Sequence, residues 1–161
     1  MDKNEHLIKS YLERISNTLL INGGFLDNPG LYTGEMGLVL FFSHYAFFTQ
    51  NELYADYSSV LLEKIQSRIH QDIPVNYAYG LAGIGATTEY LVQKGFFEAD
   101  TDDILSDFDR RIFYRDIPYL PVEEVLGIGY YALWRSSGAF KDVIIKRKLR
   151  FGLVINSPTQ W

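Results

Sequence analysis

The chain contains no cysteine. That absence excludes structural disulfides, zinc sites built from thiolates and a cysteine nucleophile within this polypeptide. Histidine is scarce, and His6, His44 and His70 are too scattered along the sequence to suggest a metal site by spacing. Basic charge is also sparse: 15 Lys and Arg against 20 Asp and Glu give a net charge of −5. Nucleic acid is therefore not expected as a partner, since phosphate neutralisation needs a concentrated basic surface. The single basic run, Lys146-Arg147-Lys148 with Arg150, reads as the solvated end of a last helix, where cations complement the helix dipole. No apolar run is long enough to cross a bilayer. The N-terminus Met1-Asp2-Lys3-Asn4-Glu5-His6 has no signal-peptide core, so a cytoplasmic protein with no membrane partner is expected.

Apolar and aromatic residues are abundant, at 47% and 16% of the 161 residues. This suits one folded domain, 1–161. Leu7, Ile8, Tyr11, Leu12, Ile15, Leu19 and Leu20 recur at three and four, predicting an amphipathic helix that Asn22-Gly23-Gly24 ends. Leu38 to Phe48 is almost continuously apolar and predicts a buried helix. Leu53 to Ile69 alternates apolar and polar faces and predicts a half-exposed one. A further apolar helix runs to Gln93, with Gly95 as its C-terminal cap. Asp100-Thr101-Asp102-Asp103 gives an acidic first turn to a helix carrying Ile104, Leu105, Phe108 and Ile112. The last apolar helix is Ile128 to Trp134, and any strand is expected only as a small hairpin near Tyr114 or Phe151 to Ile155.

A glycine pattern organises these segments. Gly34-Glu35-Met36-Gly37, Gly80-Leu81-Ala82-Gly83-Ile84-Gly85 and Gly127-Ile128-Gly129 place Gly37, Gly83 and Gly127 at intervals of 46 and 44 residues. A period of that size marks helical-hairpin repeats. The expected fold is all-α, with hairpins at about 7–50, 53–95 and 101–138 and an extension over 139–161. One helix of each hairpin would face inward, forming an α/α toroid or curved solenoid. The glycines Gly34, Gly37, Gly80, Gly83, Gly85, Gly127 and Gly129 would let backbone pack closely where the inner helices begin. They are not phosphate cradles, because no Gly-Lys-Ser/Thr follows them.

These repeats, above all Tyr79-Gly80-Leu81-Ala82-Gly83-Ile84-Gly85 continuing to Glu89-Tyr90-Leu91, resemble those of lanthionine synthetase C-like proteins. The resemblance covers roughly Leu7 to Gly138. It implies a ring of about seven hairpins, on the order of 300 residues at this repeat length, of which three would make an incomplete ring. Peptide-cyclising members add a precursor cysteine thiol to a dehydrated serine or threonine, using zinc held by two cysteines and a histidine in later repeats. The ligand cysteines are absent here, so zinc is expected only if another chain supplies the ligands. Cyclases also tend to carry an aspartate four residues before the second signature. Asn76 stands at that position and cannot exchange a proton near neutral pH.

The resemblance implies a non-catalytic module that binds a peptide or protein in modified-peptide biosynthesis, with self-association as a further expectation because end hairpins expose apolar faces. Two alternatives stand beside it: a subunit of a zinc-dependent cyclase completed by another chain, and a truncated gene product. No catalytic or metal-ligating residue is assigned. The candidates for lining the ring or contacting a peptide are Tyr32, Glu35, His44, Asn76, Tyr79 and Glu89. Glu35 also suits a helix N-terminus, His44 a hydrogen-bonded structural role, and the tyrosines ordinary packing. The acidic group Asp100, Asp102, Asp103, Asp107 and Asp109 lacks the glycine and glutamate of a calcium loop and reads as a helix start.

Overall fold

The computed structural model describes residues 3–69, 72–115 and 119–137. Within them the protein is all-α, with no strand. The expected strand near Tyr114 is instead the end of a helix. The basic run at 146–150, the extension 139–161 and the second expected strand lie outside the described residues, as does His70.

The chain forms two compact units. The first comprises residues 1–74 and 78–80, with α1 (Lys3–Gly23), α2 (Glu35–Thr49) and α3 (Glu52–Gln66). α2 and α3 make an antiparallel hairpin. Gln50 takes the left-handed conformation at φ 54° to end α2, and the Asn51 side chain accepts from the Leu53 N–H to start α3. Their interface is an aromatic stack in which Phe42 meets Tyr57 edge-on at 4.9 Å and Tyr45 meets Tyr54 at 4.7 Å. Deeper in the hairpin, the Ser43 and Ser58 hydroxyls lie 2.8 Å apart and both within reach of the Val39 carbonyl, so that one donates to the carbonyl and the other to its neighbour's oxygen. α2 is less enclosed than its composition predicts. Its C-terminal turns leave His44, Phe47 and Phe48 exposed. α1 buries only Ser16 and Gly23, small residues that admit close approach, while Leu7, Ile8, Tyr11 and Ile15 remain about half exposed.

The second unit holds residues 75–77 and 81 onward, with α4 (Leu81–Gln93), α5 (Thr101–Ile104), α6 (Ser106–Phe113) and α7 (Val122–Ser137). α4 and α7 run in the same direction, since Gly85 lies against Tyr131 and Tyr90 against Trp134. Gly95, at φ 75°, ends α4: its N–H bonds the Val92 carbonyl and the Phe96 N–H bonds the Leu91 carbonyl. This is the paired bonding of a left-handed glycine cap. The single helix expected after Asp100 is divided at Leu105, whose backbone leaves helical geometry at ψ 4° and whose N–H bonds Thr101.

The glycine signature also sits differently in its third copy. Gly34 and Gly80 immediately precede α2 and α4, but α7 begins at Val122 behind Pro121, so Gly127 and Gly129 lie inside the helix. Close approach still accounts for four of these positions, Gly85 among them, where a β-carbon would lie 2.5 Å from the Tyr131 ring. A β-carbon at Gly34 would collide with the Asn28 and Gly30 carbonyl oxygens, one at Gly37 with the Leu31 carbonyl, and one at Gly127 would come within 2.9 Å of the Tyr77 nitrogen. At Gly129 a β-carbon meets nothing within 4 Å.

Gly34→Ala is expected to lower stability by about 1–3 kcal/mol, the range for forcing a methyl into occupied space. Gly24→Ala, where a β-carbon meets nothing within 4 Å, should stay within about 0.5 kcal/mol of the parent. Urea denaturation of both variants checks the contrast.

Candidate functional site

In the first unit, the loop between α1 and α2 is fixed by backbone bonds. The Glu35 N–H donates to the Asn28 carbonyl at 2.8 Å and the Met36 N–H to the Gly30 carbonyl at 3.2 Å, so loop carbonyls satisfy the first donors of α2. Glu35 itself has no exposed surface. A buried carboxylate is costly unless paired, and here two cations meet it, Lys64 from the last turn of α3 and Arg68 from the turn that follows it. Lys64 reaches Oε1, and Arg68 donates to Oε2 at 3.1 Å. Arg68 also reaches Asp27 at 3.3 Å, and Lys64 donates to the Leu26 carbonyl at 3.3 Å. The cluster thus fastens the loop to both helices, with a carboxylate at a helix N-terminus and cations at a C-terminus, each favoured by the helix dipole.

The same loop carries aromatics at its surface. The Leu31 and Tyr32 N–H groups both donate to the Ala78 carbonyl, at 3.0 and 2.9 Å, and Gly30 packs against the Tyr79 backbone. This holds residues 30–32 against residues 78–80 and leaves Tyr32 68% and Tyr79 47% exposed; Phe25, on the same loop, is 85% exposed.

The second unit contains a denser polar centre. Arg135, near the end of α7, is fully buried. Its Nη1 donates to Glu89 on α4 at 2.9 Å and to the Thr101 hydroxyl at 3.5 Å, while Nε and Nη2 donate to Asp109 on α6 at 3.3 and 2.9 Å. Asp102 on α5 adds an ion pair to Nη2 at 3.1 Å. Four hydrogen bonds thus leave the guanidinium fork, and the Asp102 contact adds charge without a hydrogen bond. Tyr131 donates to Asp109 at 2.7 Å, and Gln93 donates to Glu89 at 2.9 Å. Burial alone would weaken the Arg135 charge, but the hydrogen bonds and charge of Asp109, with the hydrogen bond to Glu89, more than offset it and raise its pKa. Burial first, then the charge and hydrogen bond of Asp109, raise the Tyr131 phenol above its ordinary 10.0.

The six candidate residues do not form one cluster. Tyr32, Glu35 and Tyr79 share the loop region of the first unit, and His44 is exposed on α2. Asn76, half-buried, and Glu89, buried in the Arg135 cluster, belong to the second unit. A depression of about 320 Å³ on α1, lined by Tyr11, Arg14, Ile15, Thr18 and Leu19, includes none of them. The acidic group divides by role. Asp100 caps α5 by accepting from the N–H groups of Asp102 and Asp103, whereas Asp109 is a buried partner of Arg135.

Sequence reasoning missed Arg135, Asp109, Lys64 and Arg68. One signal was present for Asp109: Leu105, Phe108, Asp109 and Ile112 occupy one helical face, so a carboxylate sits within an apolar stripe. No group of three or more His, Cys, Asp or Glu residues able to hold a metal occurs among the described residues. No helix among them is long and apolar enough to cross a membrane.

Comparison with known families gives one match: the model for "Lanthionine synthetase C-like protein" covers residues 26–156. No curated protein and no solved structure matches the chain significantly.

Arg135→Met leaves Glu89 and Asp109 buried without their cation, and the expected loss is about 3–5 kcal/mol by chemical denaturation. Tyr131 makes a separate prediction about pH. The native state keeps its phenolic proton where the unfolded chain releases it, so its contribution is complete below pH 10 and declines as pH rises above that value. Tyr131→Phe should flatten this alkaline decline, measured as the denaturation midpoint against pH.

Proposed function

We propose, for a chain that belongs to the lanthionine synthetase C-like family, a non-catalytic role in binding a peptide or protein partner during peptide modification. The observation that carries this reading is the exposed aromatic surface of Tyr32 and Tyr79, held on loops pinned by the Ala78 carbonyl. Rigid aromatic faces on a fixed loop provide contact area at small entropic cost, which suits an extended peptide.

The chemistry of the buried acids supports the same reading. Glu35 is held by Lys64 and Arg68, and Glu89 by Arg135 and Gln93. Both carboxylates are therefore committed to holding helices together, where a general acid or base must instead reach a substrate. The donors present also do not fit the zinc of the family's cyclases, because the chain has no cysteine and no group of three or more described His, Asp or Glu residues could hold a metal ion.

The test is calorimetric titration of the full chain with a synthetic linear peptide rich in serine, threonine and cysteine. Binding is expected, weakened at least about tenfold, equivalent to about 1.4 kcal/mol, when Tyr32→Ala and Tyr79→Ala are combined. Unchanged binding in that variant would remove the aromatic surface from the reading. Stoichiometric zinc in the purified native assembly would overturn the non-catalytic assignment.

A further inference from the structure

One face of α7 is apolar and open. Val122, Leu126, Tyr130 and Leu133 are 70%, 59%, 56% and 64% exposed, and Gly129 lies exposed among them. Their spacing sets all five on a single stripe of the helix. No charged residue interrupts that stripe: Glu124 is paired with Arg115, Arg135 is buried, and Glu123 stands to one side.

Gly129 has no explanation within its own unit. Glycine inside a helix is less favourable than alanine, and at Gly34, Gly37, Gly85 and Gly127 a neighbouring atom excludes a β-carbon. At Gly129 a β-carbon meets nothing within 4 Å. The next residue, Tyr130, stands on the same stripe with its ring braced at 5.5 Å by that of Tyr77. The stripe therefore carries a notch and a braced knob at consecutive positions.

We propose that this stripe docks on the same stripe of a second copy, α7 against α7 in antiparallel sense about a two-fold axis between residues 129 and 130. The order of side chains fits that symmetry. Leu126 faces the partner's Leu133, Leu133 faces the partner's Leu126, and each Tyr130 enters the notch at the partner's Gly129. Glycine at the crossing lets the two helices approach closely. One patch meeting itself is the contact of a two-fold dimer, and an uncharged centre carrying tyrosine is the composition of an interface core. Charge selects the antiparallel arrangement. Parallel helices would set Glu123 beside the partner's Glu123, whereas the antiparallel pair sets it beside the partner's Ser136 and opposes the two helix dipoles.

Size sets the strength expected. With about 200 Å² for an aromatic side chain and about 100 Å² for an aliphatic one, these exposures give on the order of 300 Å² of apolar surface per copy, below the about 800 Å² of a standard interface. The dimer is accordingly reversible and concentration-dependent. It uses none of the residues in the peptide-binding reading and is independent of it.

Sedimentation equilibrium of the full chain from about 1 μM to about 500 μM, the range of small transient interfaces, should show reversible dimerisation. Gly129→Leu fills the notch without meeting a neighbour in its own chain. It should raise the dissociation constant at least about tenfold and leave the melting midpoint, read at about 1 μM, no lower than the parent's. A second readout fixes the register. In a chain without cysteine, Leu126→Cys protein mixed with Leu133→Cys protein should oxidise to the mixed disulfide in excess of the random proportion, because the facing side chains come within disulfide reach. A parent that stays monomeric throughout the series overturns the proposal, as does a Gly129→Leu chain that dimerises like the parent. A lowered midpoint in that variant would show the notch to be filled from within the chain and would overturn it too. So would self-linked disulfides at or above the random proportion.

Discussion

A guanidinium taken out of water loses more hydration energy than any single packing contact returns, so a buried arginine dictates what surrounds it. Arg135 has no exposed surface, and its planar fork is met by Glu89 from α4, Asp109 from α6 and Asp102 from α5. All four helices described in the second unit therefore have their positions tied to one side chain. Three carboxylates face one cation; the surplus is tolerable because Asp102 is 40% exposed while Glu89 and Asp109 are enclosed. Tyr131, one turn earlier on α7, donates to Asp109 and fills the space beside Gly85. The polar centre and the apolar packing are thus a single arrangement.

The first unit meets a similar constraint with the charges reversed. A buried anion, Glu35, sits between Lys64 and Arg68, which are 35% and 18% exposed. Its consequence is local order in a loop: Asp27 and the Leu26 carbonyl are drawn to the same cations. A loop fixed at that end and at the Ala78 carbonyl is stiff between the two, and Tyr32 lies in that stretch. A stiff loop has less side-chain and backbone freedom left to lose in any contact it makes.

Helix existence was legible from periodicity because apolar spacing is a local property. The stripe of α1, the faces of α3 and the glycine cap at Gly95 all follow from short-range pattern. The glycine interval made the repeat legible because close backbone approach removes side chains at fixed positions, as at Gly34 and Gly37. The division of α5 from α6 at Leu105 was not legible, since leucine has no local reason to leave a helix. The ion clusters were not legible either. Arg135 follows Trp134 at the end of an apolar helix and reads as an ordinary dipole-compatible cation, and its partners lie 46 and 26 residues away in sequence. Tyr32 and Tyr79, which precede α2 and α4 in sequence, are exposed in the loop region of the first unit.

Buried charge also narrows where function can reside. A carboxylate useful in proton transfer must be able to change charge while its surroundings tolerate both states. Glu89 is held by Arg135 and Gln93, and Glu35 lies between Lys64 and Arg68. Both acids are bound into the interactions through which they stabilise their units. Tyr32 and Tyr79 are by contrast largely exposed, beside the backbone bonds to the Ala78 carbonyl.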